Sequence, residues 1–413
     1  MSDPSAPKGT FDVLPEEARR RERVDEVARG VFARAGYGRI ETPVFEDTEL
    51  FERGVGADTD VVRKEMFTFE DKGGRSVTLR PEGTAPVARA YVEHGMHKLA
   101  QPVRLHYGGP FFRYEAPQAG RYRQFHQIGA EAIGSADPLV DAEVIMLLDD
   151  LLGELGVPGV ELRLSSLGTP ESRASYREEL RAYLREHEAD LAADVRERID
   201  SNPLRAFDSK HPGTREAMAG APRLLERLEG EDAGHFAEVR SLLDSNGVAY
   251  TVDDTLVRGL DYYTRTVFEF NSDRLGAQSQ IGGGGRYDRL VEQLGGPPTP
   301  AAGWAAGIER ILLALGDGLE APDPGREVFI AVAVDSLRPR ALALAAELRN
   351  AGLSAELDLA GRGMKGQLKQ ADRAGARATV ILEEDGGAQL RDMASGEQQP
   401  LDLARAVEQV RGE

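Results

Sequence analysis

The feature that most constrains this chain is a break in its own pattern. A Pro/Gly/Asp-rich stretch, Gly316–Gly325, reads as a linker, and the sequence obeys different rules on its two sides. Beyond it strand and helix alternate. Val328–Val334 reads as a buried strand, Leu337–Asn350 as an amphipathic helix and Leu353–Leu359 as a strand. Lys365–Ala374 reads as a helix, Thr379–Glu383 as a strand and Leu401–Val410 as a final helix. This alternation predicts a small α/β domain with some parallel pairing.

Before the linker, extended segments follow one another across turns. Met66–Phe69 and Ser76–Leu79 read as paired strands joined at Gly73-Gly74, and Val103–Tyr107, Pro110–Arg113 and Arg123–Ile133 also read as extended. Arg39–Phe45 reads as a strand interrupted by Pro43, an edge or a bulge. Helices flank them. Pro15–Ala35 has Pro15 in its first turn, Glu16 and Glu17 where the helix dipole favours them, and apolar Val24, Val27, Val31 and Phe32 at helical spacing. Thr84–His94 and Leu139–Leu155 are further helices. Strands that turn back on one another beside flanking helices predict an α+β domain on an antiparallel sheet.

Residues 170–246 interrupt that domain. They are dense in Glu, Arg, Ala and Leu and predict a mostly helical insertion. Strand character resumes at Ala249–Val252, Val267–Phe270 and Gln280–Gly282, and Trp304–Leu315 reads as a return to helix. The chain therefore divides into 1–169 and 247–322 as two parts of one core, 170–246 as the insertion and 326–413 as the α/β domain.

Composition removes several classes of function. There is no cysteine among the 413 residues, which excludes disulfides, thiolate metal sites and a cysteine nucleophile. The first twenty residues are polar and hold Pro4, Pro7 and Pro15, without a signal-peptide core, and no run approaches membrane-helix length, so a cytoplasmic protein with no membrane partner is expected. The net charge of −19 argues against indiscriminate nucleic-acid binding and reads as a solvated surface. The part from Arg326 onward is near neutral. There Arg362, Lys365, Lys369, Arg373 and Arg377 recur every three or four residues, with Asp372 opposing, and would form one basic helix face.

Familiar phosphate cradles are missing. No G-x-x-x-x-G-K-[ST] loop occurs, Gly282–Gly285 runs into Arg-Tyr-Asp rather than a dinucleotide fingerprint, and the seven histidines show no metal-ligand spacing. Instead arginine stands beside aromatic and acidic residues in three places. The first joins Leu79-Arg80-Pro81-Glu82-Gly83-Thr84, Phe111-Phe112-Arg113-Tyr114-Glu115 and Gly120-Arg121-Tyr122-Arg123-Gln124-Phe125-His126-Gln127, ending at Glu131. Arginine grips phosphate with a planar two-pronged donor set, Phe125 can stack on a base, and Gln127 and Glu131 share one face of a strand. The second joins Val257-Arg258-Gly259-Leu260-Asp261-Tyr262-Tyr263-Thr264 with Gly282-Gly283-Gly284-Gly285-Arg286-Tyr287-Asp288; the third is Gly303-Trp304-Ala305-Ala306-Gly307-Ile308-Glu309-Arg310. Singly, each has a plainer reading as a surface ion pair, a turn or core packing. Their joint occurrence points to a site.

In order, these segments resemble the three motifs of class II aminoacyl-tRNA synthetases. Arg39–Glu46 resembles the dimer-interface motif, Phe112–Glu115 through Phe125 the second, and Gly303–Arg310 the third. Arg258–Thr264, Gly283–Asp288 and Lys8-Gly9-Thr10-Phe11-Asp12 resemble segments specific to the histidyl-tRNA synthetase family. The resemblance implies an antiparallel-sheet catalytic core, a helical insertion, a C-terminal anticodon-binding α/β domain and a homodimer. It implies ATP with Mg²⁺, histidine and histidine tRNA as partners. It places Arg113 and Arg258 on the ATP α-phosphate as the catalytic pair, Arg310 on the γ-phosphate, Arg121 among the phosphate contacts and Phe125 on adenine. Glu82, Thr84 and Gln127 would take the substrate ammonium, Glu131 and Tyr263 its imidazole, with Tyr262 and Tyr287 lining the pocket. One position departs from the pattern. Ala116 stands where bacterial relatives often carry arginine, in the loop that meets the tRNA acceptor end, where Arg121 or Arg123 would have to compensate. Non-catalytic relatives of this core, the histidine-sensing regulatory subunits of ATP phosphoribosyltransferase, typically lose the ATP-site arginines and the C-terminal domain, whereas this chain has both.

Overall fold

The computed structural model describes residues 4–319, 321 and 325–411. It divides into two compact units, residues 1–321 and 322–413. The first runs α1 (Pro15–Arg34), β1 (Gly38–Arg39), β2 (Phe45–Asp47), α2 (Thr48–Phe51), β3 (Phe67–Glu70), β4 (Ser76–Leu79), α3 (Thr84–Glu93), β5 (Val103–Phe112), β6 (Gln124–Ile133), α4 (Pro138–Glu154) and β7 (Val160–Ser166). The insertion follows as α5 (Pro170–Glu186), α6 (Ala193–Arg196), α7 (Pro212–Ala219) and α8 (Gly230–Ser245). The unit closes with β8 (Thr251–Val252), β9 (Thr264–Ser272), β10 (Gln280–Arg286), α9 (Leu290–Gln293), β11 (Ala301–Gly307) and α10 (Ile308–Leu315).

Eight strands form one sheet in the order β1-β5-β6-β11-β10-β9-β7-β8. Only its edge pairs, β1 with β5 and β7 with β8, are parallel; the interior is antiparallel. The side-chain period of two splits each strand between faces. On β6, Ile128, Ala130 and Ala132 turn to a core shared with α1, α4, α8 and α10, and on β11 Ala302, Trp304 and Ala306 do the same. Helix α1 meets that core because Val24, Ala28, Val31 and Phe32 recur on one stripe, and the Phe32 ring stacks 5.8 Å from Trp304. Truncating Phe32 or Trp304 to alanine there costs about 3–5 kcal/mol. The other face carries the odd-numbered Gln127, Gly129 and Glu131 of β6 and Gly303, Ala305 and Gly307 of β11.

A second core on that face joins Val87, Ala88 and Tyr91 of α3 to Tyr176, Leu180 and Leu184 of α5 and to Tyr107, Tyr262, Tyr263 and Tyr287. The helical insertion is thus packed against the sheet by its first helix. A small sheet in the order β2-β4-β3 stands beside it.

The second unit contains β12 (Arg326–Val332), α11 (Arg338–Asn350), β13 (Ala355–Leu357), α12 (Met364–Arg373), β14 (Ala376–Leu382), β15 (Ala388–Asp392), β16 (Gln398–Pro400) and α13 (Ala406–Arg411). Its sheet order is β13-β12-β14-β15-β16, parallel across the first three strands. Val328, Ile330, Val380 and Leu382 are buried against Leu344 and Leu348 of α11.

Several sequence expectations change. Trp304 lies in strand β11 rather than in a helix, because its neighbours are small and pair with β6 and β10. Arg39–Phe45 splits into β1 and β2 in separate sheets. Between them Arg80 donates to the carbonyl oxygen of Thr42, so these backbone groups are satisfied outside a ladder. Strands β7, β15 and β16 were not anticipated. Arg377 lies on β14 and donates to the Val410 carbonyl, and Arg362 precedes α12 and pairs with Asp358. The helical basic face is therefore Lys365, Lys369 and Arg373. Positions 320 and 322–324 of the expected linker lie outside the described residues. Among the described residues no helix is long and apolar enough to cross a membrane.

Candidate active site

A cavity of about 580 Å³ opens on the side of the large sheet away from α1 and α4, with the first turn of α10 at its edge. Its floor is β10 and β11, and glycine there is a steric requirement. A Cβ on Gly303 would collide with the Glu131 carboxylate, and one on Gly283 would sit 3.1 Å from Arg258 Nη1. At these positions no side chain rises from the strands.

One end of the cavity is cationic. Arg113 Nε donates to the Pro81 carbonyl at 2.8 Å, and its guanidinium stands 5.6 Å from the Phe125 ring centroid. Arg310, on the first turn of α10, donates from Nε to Gly120 O at 3.0 Å and from Nη1 to Gln280 O at 2.5 Å. Burial holds its pKa below the ordinary arginine value, and nearby Arg121 and Arg113 push the same way. Arg121 pairs with Glu115 at 2.9 Å. Arg258 completes the wall through an ion pair to Glu269. Burial opposes its charge, but Tyr263 and Glu269 hold its pKa above the usual value.

The other end is acidic and phenolic. Glu82 accepts the backbone N–H groups of Thr84 (2.8 Å) and Ala85 (2.9 Å), so it caps α3 while buried. Burial pushes its carboxyl up. The Tyr262 hydroxyl reaches it at 3.4 Å. Tyr262 also packs against Tyr263 and Tyr287, with centroids 4.7 and 5.6 Å away. Glu131 accepts from Thr84 Oγ1 at 2.8 Å, Tyr107 at 3.2 Å and Tyr287. Burial pushes its pKa up to about 8, against the lowering effect of those hydroxyls.

The structure brings Arg113, Arg121, Phe125, Arg258, Arg310, Glu82, Thr84, Gln127, Tyr262 and Tyr263 to the cavity wall. Glu131 and Tyr287 lie one layer below it, 0 % and 1 % exposed. Among the residues that line the cavity, five carry a buried polar atom with no hydrogen-bond partner among the described residues: Arg121 Nε, Arg258 Nε, Gln127 Oε1, Trp304 Nε1 and Glu115 Oε2, the last held by its ion pair to Arg121. Orphans of this kind mark places where a ligand completes the bonding. The cavity is thus matched to a polyanion carrying a planar base, joined to a small donor-rich head.

Two residues of this site escaped sequence reasoning. Tyr107 pairs in register with Gly129, and a Cβ at Gly83 would fall 2.5 Å from its ring. The readable signal was a tyrosine whose neighbours across the fold are glycines. Glu269 stands alone among apolar Val267, Phe268 and Phe270, and a single charge in an apolar strand could have been noticed. The N-terminal segment also serves the site. Gly9 accepts from Arg123 N at 2.7 Å, and Phe11 packs 4.7 Å from Tyr122. Beside Ala116 both candidate substitutes are engaged: Arg121 with Glu115, and Arg123 with its guanidinium 3.7 Å over the Tyr114 ring.

Comparison with known proteins agrees with this geometry. Residues 9–311 match the family described as histidyl-tRNA synthetase, and residues 327–413 match the anticodon binding domain. A histidine–tRNA ligase of Rubrobacter xylanophilus is 50% identical over 97% of this chain and 98% of its own. One of Saccharopolyspora erythraea is 49% identical over 100% and 99%. The apo histidyl-tRNA synthetase of S. aureus superposes with a TM-score of 0.83 at 36% identity, covering 98% of this chain and 99% of that one. With both ranges matched and relatives near 50% identity along almost the whole chain, the chain belongs to the histidyl-tRNA synthetase family.

Proposed function

We propose that the protein is a histidine–tRNA ligase working through the residues of this cavity. The histidine carboxylate attacks the α-phosphorus of ATP and pyrophosphate leaves, giving histidyl-adenylate. The 3′-terminal ribose hydroxyl of the tRNA then attacks the adenylate carbonyl and AMP leaves. The carboxylate is already a nucleophile, so catalysis rests on positioning and on neutralising phosphate charge.

The observation that carries the residue assignment is the division of the cavity lining, with Arg113, Arg121, Arg258 and Arg310 grouped at one end and Glu82, Tyr262 and Tyr263 at the other. Arg113 and Arg258 flank the α-phosphate, Arg310 takes the γ-phosphate with Arg121 beside it, and adenine stacks on Phe125. Glu82, Thr84 and Gln127 hold the ammonium. Tyr263 meets the imidazole from the wall, with Tyr262 and Tyr287 lining the pocket beside it. Glu131 meets it from below, by exchanging one of its three hydroxyl partners for the ring N–H.

Mg²⁺ neutralises phosphate charge when it enters with ATP. Among the described residues no group of three or more His, Asp or Glu could hold a metal ion, but an ion carried by phosphates needs only one or two carboxylates, and Glu115 and Glu269 line the cavity.

The exposed Phe45, Phe69 and Tyr114 support a homodimer formed over the small sheet, which sedimentation would test. The cytoplasm is the compartment where the tRNA partner is found. ATP–pyrophosphate exchange against each of the twenty amino acids tests the whole reading. Exchange with histidine alone is expected. Absence of exchange in a folded protein that still binds histidine would replace it with the regulatory reading.

A further inference from the structure

Among the described residues, Arg265 is alone outside glycine in holding a positive φ, at 47°. An L-residue adopts that conformation only where its surroundings over-determine it. They do so here. Arg265 N donates to Gly168 O at 2.8 Å and its carbonyl accepts from Leu167 N at 2.7 Å. Its Nε donates to Asp232 Oδ1 at 2.8 Å. The other Asp232 oxygen accepts from Thr169 N (2.8 Å), Thr169 Oγ1 (3.1 Å) and Ser172 Oγ (2.6 Å). Burial pushes the Asp232 carboxyl up, but these donors hold it below its ordinary value. Thr169 and Ser172 begin the first insertion helix and Asp232 begins the last. The knot therefore fastens both ends of the insertion to one residue of β9. Two positions before Arg265 stands Tyr263, whose carbonyl accepts from Arg173 of the first insertion helix at 2.9 Å.

We infer that Asp232 and Arg265 are positioning residues for Tyr263, setting the histidine pocket from the base of the helical insertion. The inference rests on the placing of Tyr263 at the imidazole. Neither residue lines the cavity, so both act through the backbone at 263–265. Tyr263 in turn stands 5.7 Å from the Arg258 guanidinium.

The experiment is pyrophosphate exchange with the full chain, with KM measured separately for histidine and ATP. Asparagine tolerates the left-handed region, so Arg265→Asn keeps the backbone and removes the ion pair. It should raise the histidine KM about tenfold with the ATP KM changed by less than about twofold. Asp232→Asn, made from the insertion side, should reproduce that split, and Arg265→Lys should largely restore the parent value. Tyr263→Phe is the control for the underlying assignment. If it raises the histidine KM while Arg265→Asn does not, the pocket stands and the positioning role falls. If it leaves the histidine KM unchanged, the assignment of Tyr263 fails and takes the inference with it. An equal rise in both KM values with a lowered Tm would show Arg265 to be merely structural and overturn the inference.

Discussion

Arg258 and Glu269 are ion-paired on the cavity wall, the guanidinium donating from Nη1 while its Nε has no partner among the described residues. The pair holds Arg258 still and leaves a donor free for phosphate. Arg258→Ala should lower pyrophosphate exchange at least ~100-fold, the scale of losing a preorganised donor to developing charge. Histidine binding by calorimetry should stay within about threefold of the parent. Exchange at the parent rate would remove Arg258 from the chemistry.

Glu131 supplies a pH signature. Its folded pKa, near 8, lies above its ordinary 4.5, so the fold favours the protonated form. That stabilising contribution is fully present below the ordinary pKa and is lost as pH rises through about 8. Glu131→Gln keeps the shape and cannot ionise. Its Tm relative to the parent should therefore rise by at least ~2 °C between pH 6 and pH 9. A difference that stays constant over this range would mean that Glu131 is ionised throughout.

Gly303 pairs in register with Glu131, and its missing side chain is the space the carboxylate occupies. Gly303→Ala should cost about 1–3 kcal/mol by overpacking, read from urea unfolding. It should also raise the histidine KM, because the displaced carboxylate carries Thr84 and Tyr287 with it. A stable variant with the parent KM would show that the floor can yield.

The C-terminal unit is compact in its own right, with its own core. Removing residues 326–413 should leave pyrophosphate exchange within about fivefold while tRNA charging falls at least ~100-fold. Within the full chain, Lys369→Ala should weaken charging and reduce its salt dependence by about one phosphate contact. Equal loss of both steps in an intact dimer would detach this unit from tRNA.

How much of this was readable in the sequence depends on distance along the chain. Gln127 and Glu131 share a face because strand period is local, and Tyr262 and Tyr263 stand together on the cavity wall as neighbours in one segment. Tyr107 was not readable, because its hydroxyl meets Glu131 across two strands and its ring fits between glycines at 83 and 129. Asp232 was not readable either, since Thr169 and Arg265 lie 63 and 33 residues away. Arg377 misled because a spacing of four suits a helix that in fact ends at Arg373. Trp304 misled because Ala and Gly around it carry no strand signal; its place comes from the neighbours it pairs with.

The glycine floor also limits how such a pocket can change over generations. On β10 and β11 a heavier residue at Gly283 would press on the Phe268 carbonyl and Arg258, and one at Gly303 on the Glu131 carboxylate, so either would displace the groups that shape the pocket. Drift in preference for the amino acid therefore has no gradual route through the floor. It must arise at the rim, from tyrosines and acids borne on neighbouring loops and strands.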